Sequence, residues 1–115
     1  MKSNLGHLQK IDVNELTKDI IDDWKNFDVS DINDHVVRLS VLQRDFHWHH
    51  HTDSDELFFV ISGKLFVDFE EKTEELNSGQ MITITKNTKH RTRSKERTLI
   101  LCFESKINNA MGDQA

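Results

Sequence analysis

The feature that most limits the fold is a change of hydrophobic pattern near Asp28. Beyond it, β-branched and aromatic residues come in short runs, namely Val36 to Leu42, Phe46 to His51, Glu56 to Ile61, Lys64 to Phe69, Gln80 to Thr85 and Thr98 to Glu104. Runs of this length and composition read as strands. Polar turn signals separate them at Asp31 to Asp34, Gln43 to Asp45, Thr52 to Asp55, Ser62-Gly63, Glu70 to Lys72, Asn77 to Gly79 and Lys86 to Thr88. Turns so closely spaced belong to a sandwich or a small barrel. No long helical period interrupts them, which disfavours a parallel α/β sheet. The expectation is an all-β body in one domain, the number that 115 residues allow.

Before Asp28 the period differs. Val13, Leu16, Ile20, Trp24 and Phe27 are spaced by three, four, four and three, which predicts one amphipathic helix from about Asp12 to Phe27, capped by Asp12 or Asn14. Its other face would carry Glu15, Lys18, Asp19, Asp22 and Asp23 as a solvated surface. The expected organisation is thus a helical extension over 1–28, a barrel over 29–105, and a short polar tail over 106–115 that is partly mobile or laid over a partner.

The net charge of −5 and the lack of a dense basic block argue against nucleic acid as a partner. The longest apolar runs, Leu57 to Ile61 and Leu99 to Phe103, have five residues each, against the roughly 20 that a membrane-spanning helix needs. The amino terminus lacks the apolar region of a signal peptide, so no membrane role is expected. With Cys102 the single cysteine, no intrachain disulfide can form, and a reducing, cytoplasmic setting is the expectation.

Five of the seven histidines stand at 47, 49, 50, 51 and 90. On a strand, His47, His49 and His51 share one face, with Trp48 and His50 on the other. Imidazoles two residues apart can bind one metal. Glu56 opens the next strand across an Asp-rich turn, close enough to return a carboxylate, and His90 can fold alongside. Neutral imidazoles with a carboxylate suit Zn, Fe, Mn, Ni or Co, and the lack of thiolates weighs against a structural zinc knot.

These residues resemble the cupin family. His49, any residue, His51, four residues, Glu56, six residues and Gly63 match the first cupin motif; Gly79, five residues, Thr85-Lys86-Asn87, two residues and His90 match the second. The likeness covers about Val29 to Glu104 and looks like the small single-domain cupins of the RmlC-like jelly-roll superfamily, often called mannose-6-phosphate isomerase-like. It implies a double-stranded β-helix, or jelly-roll barrel, with one short N-terminal helix. It also implies one divalent metal per chain held by His49, His51, Glu56 and His90. The chain departs from the pattern at Gln43, Thr85, Asn87 and Ser94, where the family usually has Gly, Pro, Gly and Asn. Asn tolerates the left-handed conformation, so the turn at Asn87 can survive.

Phe58 and Val60 share the strand face of Glu56 and are expected to line the cavity, with His47 as a rim residue, although a histidine at a strand start is commonly exposed. Leu57, Phe59 and Ile61 face the other way and need a cover, either the N-terminal helix or a second subunit, so a homodimer is expected. Cys102 reads as a buried inert thiol. Arg91 and Arg93 lie opposite His90, as solvated or interface residues. Within the resembling family such sites serve dioxygenases, decarboxylases, epimerases, cyclases and sugar-phosphate isomerases, with Glu56 as a fixed ligand or as a base. The expectation is a small metalloenzyme of dioxygenase or isomerase type with a small organic or sugar-acid-like substrate. The alternatives are a non-catalytic binding or sensing module and a structural dimer with a vestigial site.

Overall fold

Alternation governs β3 (Glu56–Ser62): Glu56, Phe58 and Val60 are buried, while Leu57, Phe59 and Ile61 are only half-buried. In the computed structural model of the chain, which describes residues 6–108 and 112, seven further strands accompany it. They are β1 (Trp24–Ile32), β2 (His35–Leu42), β4 (Lys64–Phe69), β5 (Thr73–Asn77), β6 (Met81–Ile84), β7 (His90–Arg93) and β8 (Thr98–Ser105). All pair antiparallel, in a five-stranded sheet of order β1-β2-β8-β3-β6 and a three-stranded sheet of order β5-β4-β7. This is the expected jelly-roll sandwich with one short helix, α1 (Val13–Thr17).

Leu42, Phe58, Val60, Leu65, Val67, Leu76, Ile84 and Ile100 fill the space between the sheets. Each such side chain contributes roughly 1.5–3 kcal/mol by leaving water. A second cluster of Val29, Leu39, Val41 and Leu99 lies on the outer face of the large sheet. Ile11, Val13 and Ile20 of the N-terminal segment cover it, together with Phe27 and Ile61. Arg97 ties that segment down, its Nη2 donating to the Thr17 carbonyl at 2.6 Å.

The long helix is a correction. Helix α1 spans only Val13–Thr17, with Asp12 Oδ1 accepting from the Asn14 and Glu15 amides at 3.1 and 3.2 Å. Trp24 and Phe27 belong instead to β1, which crosses the boundary expected at residue 28. Two physical terms win over the 3.6-residue spacing. Asp19, Asp22 and Asp23 would sit toward the negative end of a helix running to Phe27. Moreover, Trp24-Lys25-Asn26-Phe27 alternates in a way that pairs with β2, from Trp24 against Leu42 to Phe27 against Leu39. Ile21, on the apolar side of no helix, stays almost fully exposed.

Strands β5 and β7 are further differences from the sequence reading. Thr73–Asn77 holds one apolar residue, Leu76, and His90–Arg93 holds none, so neither registers as an apolar run. Both are held by backbone pairing to β4. The segment 46–51, expected as a strand, is tied to β7 by the isolated bridges Asp45 to Arg93 and His49 to His90 and by the Phe46 amide, which donates to the Thr92 carbonyl at 2.8 Å. Two turns need special backbone. Gly63 has φ +91°, and a Cβ there would meet Thr98 Oγ1 at 2.5 Å; Asn87 adopts φ 66° and keeps the turn that glycine usually makes.

Candidate metal centre

Backbone pairing builds the site. His49 and His90 exchange two backbone hydrogen bonds of 2.9 Å, which sets their side chains on one face with ring centroids 4.5 Å apart. The Asn87 amide donates to the His51 carbonyl at 2.7 Å, and the Lys86 amide to Asp55 Oδ1 at 2.8 Å. The β6–β7 turn thereby clamps the segment that carries His51 into the mouth of β3, where Glu56 stands first.

The four side chains converge and are all buried. One donor atom each from His49, His51 and Glu56 lies within 4.8 Å of the others. Glu56 Oε1 stands 3.2 Å from His51 Nε2 and 3.6 Å from His90 Nε2. His49 Nδ1 donates to the His47 carbonyl at 2.9 Å and His90 Nδ1 to the Thr88 carbonyl at 2.8 Å. Those bonds commit each Nδ1 as a donor and leave each Nε2 available as a ligand atom. Among the described residues, neither Glu56 Oε1 nor His90 Nε2 finds a hydrogen-bond partner. Buried polar atoms without partners are costly, at roughly 1–3 kcal/mol each, and a cation between them would satisfy both. The donor set therefore fits a divalent metal ion.

Electrostatics point the same way. Burial lowers the His49 pKa from 6.5 to about 4, so the ring is neutral and available as a ligand. Burial would raise the Glu56 carboxyl, but the adjacent His51 and His90 outweigh it and hold the group at about 2.

Beside the cluster lies a cavity of about 40 Å³, room for a few water-sized groups. Phe58 lines it, with Phe46 and Ile100. Val60 does not; it is fully buried in the core with Leu65 and Val67. His47 is exposed and stacks on Phe46, at 4.2 Å between centroids, instead of lining the cavity. Cys102 is buried and faces the cavity, its thiol pKa raised by burial.

Sequence reasoning missed Glu104. It pairs across the sheet with Glu56, is buried, and lines the cavity with Asn26, Ser40 and Thr92. Arg38 Nη1 donates to its Oε2 at 2.9 Å and Asn108 Nδ2 to its Oε1 at 3.0 Å. Burial first, and the Glu56 charge second, raise its pKa from 4.5 to about 7. The signal was its two-residue offset from Cys102, which puts both on one strand face. Among the described residues lining the cavity, none is a lysine or arginine. Arg91 and Arg93 lie on the opposite face of β7, where their Nε atoms donate to Asp68 Oδ2 at 2.8 and 2.7 Å.

The tail, expected to be mobile or laid over a partner, packs on its own chain where it is described: Asn108 also donates to the Ser54 carbonyl at 3.3 Å, and Gly112 is buried. Residues 109–111 and 113–115 lie outside the described set. No helix among the described residues is long and apolar enough to cross a membrane.

Comparison with known proteins agrees with this geometry. Residues 35–103 match the cupin domain family. A Bacillus subtilis relative, the uncharacterized protein YdbB, is 51% identical over 82 residues, covering 70% of this chain and 73% of its own. A cupin-2 domain protein of Shewanella frigidimarina superposes with a TM-score of 0.80 at 29% identity, over 84% of this chain and 94% of that one. A cupin superfamily protein of Desulfitobacterium hafniense shares the fold, with a TM-score of 0.73 at 12% identity over 89% and 94% of the two chains.

Proposed function

This chain belongs to the cupin domain family, and from that premise we propose that it is a metal-dependent enzyme acting on a small, neutral, partly apolar molecule. The observation that carries the reading is the buried convergence of His49, His51, Glu56 and His90, with two Nδ1 atoms committed to backbone carbonyls. These four residues would hold one Fe, Mn, Zn, Ni or Co ion, and the ion would supply polarisation of a substrate oxygen or activation of dioxygen. The size of the domain and its His3Glu pattern support the mannose-6-phosphate isomerase-like, stand-alone kind.

The chain's own residues narrow the chemistry. Glu56 and Glu104 offer two carboxyl groups from neighbouring strands to one small cavity, an arrangement suited to moving a proton between two positions of one bound molecule. That favours the isomerase type over simple holding. Asn26, Ser40 and Thr92 offer neutral hydrogen bonds. With two glutamates and no lysine or arginine among the described lining residues, a neutral hydroxy or carbonyl compound suits the wall better than a sugar acid. The single cysteine, a buried free thiol, supports a cytoplasmic setting.

The apolar outer face left bare by the N-terminal segment, with Leu57 opposite Phe103 and Phe59 opposite Met81, supports a homodimer.

The test is a panel of small neutral hydroxy and carbonyl compounds, and their acid counterparts, assayed with the metal-loaded protein. Turnover of a neutral member that is lost in Glu56→Gln is the expected result; turnover of the acids alone contradicts the substrate class.

A further inference from the structure

Gly112 is buried, with φ +83°, and its backbone lies against the His49 imidazole. A Cβ at this position would overlap His49 Cδ2 and Cγ and stand 2.6 Å from His49 Cβ. Only glycine brings a backbone so close, and only glycine adopts this φ without strain. Four residues earlier, Asn108 is buried and bridges Glu104 Oε1 and the Ser54 carbonyl. Asn108 and Gly112 thus touch both halves of the site: the second carboxylate and a candidate metal ligand.

A single hydrogen bond from Nδ1 to the His47 carbonyl leaves the His49 ring some freedom to swing, because rotation about an imidazole's χ2 is broad and shallow. Phe46 restrains the ring edge-on, at 5.3 Å between centroids. The Gly112 backbone supplies a further wall. We propose that Gly112 is a positioning residue for the metal site: its backbone fixes the His49 ring in the orientation that presents Nε2 to Glu56 and His51, so the end of the chain is part of the centre. The proposal rests on the metal reading above.

The test uses Co(II) titrated into the metal-free full-length protein, read by affinity, dissociation rate and the visible absorption of the bound ion. In Gly112→Ala the methyl group must turn the ring or lift the backbone away. Affinity is expected to fall by about tenfold, in the range seen when groups that orient a ligand are lost, with faster release and an altered spectrum. Gly79→Ala is the control. Gly79 has φ +87° but nothing within 4 Å of an added Cβ, so it suffers the same backbone strain without the contact. It is expected to lower thermal stability and to leave Co(II) affinity and spectrum at wild type. A chain ending at Asn108 keeps every strand and removes Gly112, and is expected to repeat the Gly112→Ala result.

Wild-type affinity and spectrum in both Gly112→Ala and the shortened chain would overturn the proposal. Equal losses in Gly112→Ala and Gly79→Ala would overturn it too, since strain alone would then explain them. Failure of the underlying reading looks different: the wild type binds no Co(II), or His49→Ala binds it as the wild type does.

Discussion

Replacing Glu104 with glutamine removes one ionisable group from the cavity wall and nearly nothing of its shape. In the folded chain the Glu104 carboxyl is raised from 4.5 to about 7 by burial and by the Glu56 charge. Between those values the folded chain holds a proton that the unfolded chain has released. The stabilisation is therefore complete below pH 4.5 and is lost as pH rises through 7. At roughly 1.4 kcal/mol per pH unit the span amounts to about 3 kcal/mol. His49, lowered to about 4 by burial, works in the opposite sense, losing its contribution as pH falls from 6.5 toward 4. It is common to both proteins and cancels in the difference. Urea unfolding of the chelator-treated protein, followed by tryptophan fluorescence at pH 4.5 and 8, measures the effect. The stability of wild type relative to Glu104→Gln should fall by about 3 kcal/mol between the two pH values. Any constant offset from the altered contacts of Arg38 and Asn108 drops out of that change. Parallel stability curves would refute the account of a strained second carboxylate beside Glu56.

Because the His49 ring competes weakly for protons, metal-loaded protein should keep its metal through pH 6 and release it as pH approaches 4; elemental analysis after dialysis showing half-loss at or above pH 6.5 would count against a buried, neutral ligand. Asn87 holds a left-handed turn, so Asn87→Val should cost about 1–2 kcal/mol by thermal melting while Asn87→Gly is neutral or stabilising. Equal effects of the two would deny that the backbone conformation matters. Phe59→Lys should convert the proposed dimer to a monomer in light scattering, with metal content unchanged. An unchanged mass would remove the large sheet's outer face from consideration.

How much was legible in the sequence follows from where one strand's information was enough. Period-two alternation identified β3, β4 and β8 and placed Phe58 on the face of Glu56. Motif spacing brought His90 to His49 and His51 across about 40 residues, since the cupin topology, not local pattern, sets that contact. Where pairing overrides local preference, reading failed. Trp24 and Phe27 have helical spacing but extend because β2 offers them backbone partners. Strand β7 is polar throughout and is a strand only because β4 pairs with it. Glu104 was hidden for a related reason: its role depends on the β3–β8 register, which places it opposite Glu56. Val60 was assigned to the cavity by its face alone, but depth along the barrel puts it in the core.

The most direct test of the metal centre is elemental analysis of tag-free protein purified from its own cells, alongside His49→Ala and His90→Ala. The account predicts close to one first-row divalent metal per chain in the wild type and background levels in both variants, with the β circular dichroism spectrum retained in all three. Wild-type protein without metal, or variants that keep the full complement, would contradict it.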